Sequence, residues 1–147
     1  VTTAIDLDPV PFDQVVQEIN IIVAERPEDY VYQRPANGSC AYVHVDRGHS
    51  EAGCIVGVWL HRFQLVPLDV LHLKEGAGAD MLAARLYHMK AIPRPLDRRA
   101  ARFLDQLQTK ADGGWTWRRA ADFAALHVRN EWDSIGDGSR LMNEGDW

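Results

Sequence analysis

Apolar positions recur at helical spacing over most of the chain, and the predicted elements follow from them. Phe12, Val15, Val16, Ile19, Ile22 and Val23 form one stripe, after Pro11 and before Pro27. This predicts a helix from Pro11 to about Ala24, since proline suits a first helical turn and the residue before a proline resists helical geometry. A second stripe, Ile55, Val58, Trp59, Phe63 and Val66, predicts a helix opening at Gly53, with Cys54 in its first turn. Short helices are expected over Leu68–Lys74 and Met81–Ala91, the latter capped by Asp80 with Leu82, Leu86 and Met89 inward. Leu96, Ala100, Phe103, Leu104, Leu107 and Ala111 mark a helix over Leu96–Ala111. Gly113-Gly114 closes it, and Thr116 caps a last helix with Trp117, Ala120, Ala121, Ala124 and Val128 inward. These two helices read as an antiparallel helical hairpin.

Two stretches carry the strand pattern instead. Residues 29–34 (DYVYQR) are aromatic and β-branched, and 40–45 (CAYVHV) alternate, with Pro35-Ala36-Asn37-Gly38 as a turn between them. They are expected to pair as a hairpin, with Asp46 to Ala52 as a polar loop. The fold class expected is therefore α+β: a mostly helical single domain over residues 1–130, with a small antiparallel β-hairpin packed on four to five helices. Residues 131–147 lack period and are expected to form an acidic, mobile tail.

The 147 residues suffice to bury a core without a metal or disulfide. No apolar run approaches the length of a membrane span. The opening VTTAIDLD has no apolar core, so no secretory signal is expected there, and the expected setting is cytoplasmic, with Cys40 and Cys54 as thiols. Charge is laid out unevenly. Residues 1–84 carry a net −7, residues 85–119 a net +6 and residues 120–147 a net −4. A basic centre between acidic flanks is either matched internally or faces something anionic.

The segment 39–63 concentrates the candidate chemistry. A cysteine near a helix N-terminus has its thiolate favoured by the helix dipole, and a histidine beside it could act as base. Cys54, His49 and His44 are the candidate catalytic residues on that reading, as a hydrolase or transferase; the alternative is a thiol packed in the core. His44, Asp46, His49, Glu51 and Cys54 crowd together, but no recognised ligand spacing appears, so no metal and no cofactor are expected. A Cys40–Cys54 disulfide would need an oxidising compartment.

The basic segment is the stronger functional signal. Arg94, Arg98, Arg99 and Arg102 run onto one helix, and Arg118 and Arg119 begin the next, with Trp115 at the glycine turn between them. Trp115 fits no core stripe, and exposed tryptophan is enriched at binding hot spots. These seven residues are the candidate partner-binding set. A protein partner is expected first, nucleic acid is the alternative, and no membrane partner is expected. A solvated, internally paired helix face is the plain reading of the same charges, as with Arg102 and Asp105.

Several motifs resemble a group of small uncharacterised proteins of actinobacteria and their phages. They are Asp29-Tyr30-Val31-Tyr32, Cys40-x-Tyr42-Val43, Gly53-Cys54-Ile55-Val56-Gly57-x-x-Leu60-His61, and the distal run Phe103-Leu104-x-x-Leu107-Gln108, Asp112-Gly113, Trp117 and Ala120. The resemblance spans about residues 26–125. Gln64 stands where a glycine would end the second helix, and Ala52 where a proline often precedes the Gly-Cys pair. The resemblance implies a host or phage cytoplasm and no particular reaction. The expected function is a small cytoplasmic interaction module, phage-encoded, that binds a host or phage protein through the basic hairpin.

Overall fold

Two long helices joined by a glycine turn set the frame. The computed structural model describes residues 8–32, 42–46, 49–72 and 78–135. Six helices occur among these residues: α1 (Phe12–Ala24), α2 (Ile55–Arg62), α3 (Leu68–His72), α4 (Ala79–His88), α5 (Arg98–Asp112) and α6 (Trp117–Ile135). Asp97 caps α5, its side chain accepting from the Ala100 N–H at 2.9 Å. Gly114 takes the left-handed conformation, φ +97°, that reverses the chain between α5 and α6.

The two helices run antiparallel. Arg102, near the start of α5, reaches Glu131, near the end of α6, while Lys110 lies over Phe123 in the opposite halves. Their facing stripe is rich in alanine: Ala100, Ala111, Ala120, Ala121 and Ala124 are all buried. Small side chains let the backbones approach, and Phe103, Leu104, Leu107, Trp117 and Val128 fill the remaining core. Helix α1 packs on both α5 and α6, α4 packs on α5, and α2 lies against α1 and α5. All six apolar positions of the α1 stripe are buried, as their spacing predicts.

The α+β class is corrected. The described fold is helical, and the hairpin expected from 29–34 and 40–45 is not what forms. Residues 33–41, including Cys40 and the Asn-Gly turn, lie outside the described residues. Within 29–32, Val31 makes one isolated bridge, to Thr116. The reason lies in α6. The Trp117 N–H donates to the Tyr30 carbonyl at 3.0 Å, and the Tyr30 and Trp117 rings meet edge to face at 4.7 Å. The start of α6 thus takes the backbone groups and aromatic face that a strand partner would need.

The extended pair among the described residues is a four-residue antiparallel one, β1 (Val43–Asp46), which overlaps the strand expected over 40–45, with β2 (His49–Ala52), which lies in the stretch expected to be a loop. Its end is tied by the Gly53 N–H, which donates to the Tyr42 carbonyl at 2.8 Å. Three further positions differ from expectation. Asp80 lies in the first turn of α4, and Gly78 occupies the cap. Met89 is half exposed, because α4 ends at His88 and Lys90 turns into the left-handed region. Helix α6 continues to Ile135, and Trp132 is buried.

Candidate functional site at the helical turn

The seven predicted partner-binding residues do not form one surface. Arg94 is structural: its guanidinium donates to the carbonyls of Asp8 and Pro9 at 2.7 and 3.1 Å, fastening the N-terminal segment. There Val10 pairs in parallel with Leu96. Arg99 lies 5.9 Å from the Phe12 ring. Arg102 donates twice to the Glu131 carboxylate, at 3.3 and 3.4 Å, and clips α5 to α6. Arg98 lines a separate cavity between α4 and α5.

Trp115, Arg118 and Arg119 come together. They line an open pocket of about 380 Å³ at the α5–α6 turn, with Thr116, Asp122, Phe123 and Leu126. The local sequence explains the assembly. Gly113-Gly114 turns the chain, Thr116 caps the next helix by accepting from the Arg119 N–H at 3.1 Å, and Trp115 is left between them. One helical turn then separates Arg119 from Phe123 and Phe123 from His127.

The site is an aromatic ladder braced by cations. Trp115 and Phe123 meet edge to face at 5.3 Å, and Phe123 stacks on His127 at 5.6 Å with 16° between the planes. The Arg119 guanidinium lies 4.1 Å from the Trp115 centroid. Lys110 from α5 places its ammonium 5.1 Å from Trp115 and 4.9 Å from Phe123. Cations over ring faces hold both partners in place without neutralising the charge. His127 lies 3.7 Å from Glu131, which joins the ladder to the Arg102 clip. Leu126 is 59 % exposed beside the pocket, an apolar side chain with little of its surface covered.

Sequence reasoning found Trp115, Arg118 and Arg119 and missed Phe123 and Leu126 as parts of one site. The signal was available in part: residues 115, 119, 123 and 127 recur every four positions, which sets one edge of a helix. Lys110 reaches the site only through the reversal at the glycine turn.

The candidate catalytic set is described in one member. Cys54 is the N-cap residue of α2 and 1 % exposed, packed in the core with Ile55 and Val56. The backbones of His44 and His49 lie in the strand pair, and their side chains fall outside the described residues. Among the described residues, no group of three His, Cys, Asp or Glu side chains could hold a metal ion. No described helix is long and apolar enough to cross a membrane.

No protein-family model, no curated protein and no solved structure matches the chain.

Proposed function

We propose that the chain is a protein-interaction module that binds an acidic segment of a host or phage protein through the α5–α6 turn. The supporting observation is the Arg119 guanidinium stacked on Trp115 beside an open pocket edged by exposed Leu126. Trp and Arg are the residue types that dominate binding hot spots, and here each holds the other in position before any partner arrives. The pocket takes one apolar side chain of the partner. Arg118 and Arg119 face the carboxylates that flank it, Lys110 adds positive charge behind the Trp115 and Phe123 rings, and Asp122 on the rim disfavours carboxylates on its own side. The cytoplasm of an actinobacterial or phage-infected cell is the proposed setting.

This reading narrows the basic hairpin to its turn. Arg94 and Arg102 serve the fold, so their charges are spent on it. The test is site-specific photocrosslinking from position 126 in cells, comparing the native chain with Arg118→Glu/Arg119→Glu and with Arg98→Glu/Arg99→Glu. The expected result is one adduct that the first pair abolishes and the second pair retains, with melting temperatures confirming both folds. An adduct unaffected by the Arg118/Arg119 reversal, or one that nuclease digestion removes, overturns the proposal.

A further inference from the structure

The exposed face of α6 displays the two features that the pocket at its start receives, a carboxylate and an apolar side chain one helical turn apart. We infer that a second copy of this chain occupies that pocket, in an antiparallel α6–α6 dimer that covers the Trp115 site.

The face is a single stripe. Trp115, Arg119, Asp122 and Leu126 follow one another at spacings of four, three and four, which set one line along a helix. The other side of α6, with Ala120, Ala121, Ala124 and Val128, is buried in the core. Arg119, Asp122 and Leu126 are exposed. Among the described residues, neither Arg119 nor Asp122 forms an ion pair.

The stripe is complementary to itself when reversed. Trp115 and Leu126 lie equally far on either side of the midpoint between Ala120 and Ala121, and so do Arg119 and Asp122. A second copy turned end over end about that midpoint sets its Leu126 on Trp115 and its Asp122 against Arg119, and both contacts repeat across the two-fold axis. Four charges then alternate in sign around the axis. A parallel copy would set arginine on arginine and aspartate on aspartate. Arg119 is prepared for the antiparallel arrangement. The face of its guanidinium lies on Trp115, 4.1 Å from the ring centroid, which leaves edge N–H groups for a carboxylate. The pocket lining runs the whole length of the stripe, from Trp115 to Leu126, so a reversed copy covers it from end to end.

One helix face from each copy makes an interface below the standard size of about 1,600 Å². The dimer is therefore weak, with a dissociation constant on the order of 100 µM. The second copy and the acidic segment proposed above compete for the same groove, so self-association limits access to it. That consequence rests on the partner reading; the dimer itself does not.

The test is sedimentation equilibrium of the purified full chain from about 10 µM to about 1 mM, which brackets that constant. The average mass is expected to rise toward twice that of one chain. Leu126→Ala should weaken association about tenfold, because each dimer loses the side chain twice. Arg119→Asp and Asp122→Arg should each leave the chain monomeric, since each sets like charges against one another. An equal mixture of those two variants should associate, because every facing pair is then opposite in sign. Melting temperatures confirm the fold of each variant. A native chain that stays monomeric throughout overturns the inference. So does a dimer that survives either charge reversal, or a mixture that fails to associate. None of these results depends on a partner, so a failure here leaves the partner reading standing. Equally, a crosslink from position 126 that captures no other protein leaves the dimer standing, and a self-adduct there is recognised by twice the mass of one chain.

Discussion

The backbone of Gly57, in the middle of α2, lies directly against the carbonyl of Tyr42. A Cβ at position 57 would fall well inside van der Waals contact distance of the Tyr42 oxygen and 3.1 Å from its carbonyl carbon. The same oxygen accepts the Gly53 N–H, so Tyr42 is fixed at both glycines. In an exposed helix interior, replacing glycine by alanine stabilises by about 1 kcal/mol. Here the neighbour is backbone and cannot swing aside, so the sign reverses. Gly57→Ala is expected to destabilise by about 1–3 kcal/mol, read as a lower urea midpoint with the slope unchanged.

Two buried tryptophans differ in one hydrogen bond. Trp59 donates its indole N–H to the Glu18 carboxylate at 2.9 Å, whereas the buried Trp117 indole N–H has no hydrogen-bond partner among the described residues. Replacement by phenylalanine removes similar volume at both sites. It also removes a charge-assisted bond at the first and an unsatisfied donor at the second. Trp59→Phe should therefore cost more than Trp117→Phe, by about 1–3 kcal/mol, in matched denaturation experiments. Equal costs would mean that the Glu18 bond contributes nothing net.

The helices were legible because each buries one stripe, and burial is what periodicity encodes. The stripes of α1, α5 and α6 are buried at the positions their spacing picks out. The β-hairpin was misread for a physical reason. Strand propensity at 29–32 reports side chains that like a half-buried surface, and the surface they found was Trp117 rather than a second strand. Trp132 continues the spacing of Val128, yet the polar composition around it masked the signal. At the candidate site, the individual residues Trp115, Arg118 and Arg119 were readable. The division of the basic segment was not, because pairing of Arg102 with Glu131 and Arg94 with Asp8 and Pro9 depends on contacts distant in sequence.

Among the described residues, two adopt the left-handed conformation without being glycine: Leu65 at φ 58° and Lys90 at φ 64°. Lys90 follows the end of α4, a position glycine usually holds, and Leu65 is 78 % exposed after α2. The left-handed region costs an L-residue about 1–2 kcal/mol, part of which glycine returns through its freer unfolded chain. Lys90→Gly and Leu65→Gly should each stabilise by about 0.5–1 kcal/mol. A lower melting temperature in Leu65→Gly would show that its exposed side chain contributes to the fold.

Among the described residues, two carboxylates should contribute to the acid response with opposite behaviour. Burial raises the Asp105 value above the ordinary aspartate range, the charge of Asp80 adds to it, and Arg102 partly opposes both. A raised value means that the folded chain binds a proton more readily than the unfolded one. Stability contributed by that proton is present at low pH and is lost as pH rises through the folded value. Glu25 runs the other way: its hydrogen bond from Arg62 holds it below the ordinary glutamate range, so its contribution is present at neutral pH and lost as pH falls through the lowered value. Asp105→Asn removes the first response and the repulsion from Asp80. It should raise stability near neutral pH by less than about 1 kcal/mol, since the side chain is a third exposed and the interaction is screened. It should also flatten the fall in stability above the ordinary aspartate value, measured by urea unfolding at successive pH. Lower stability at pH 7, with a rise in stability above the ordinary aspartate value lost in the variant, would instead make the Arg102–Asp105 pair the dominant interaction.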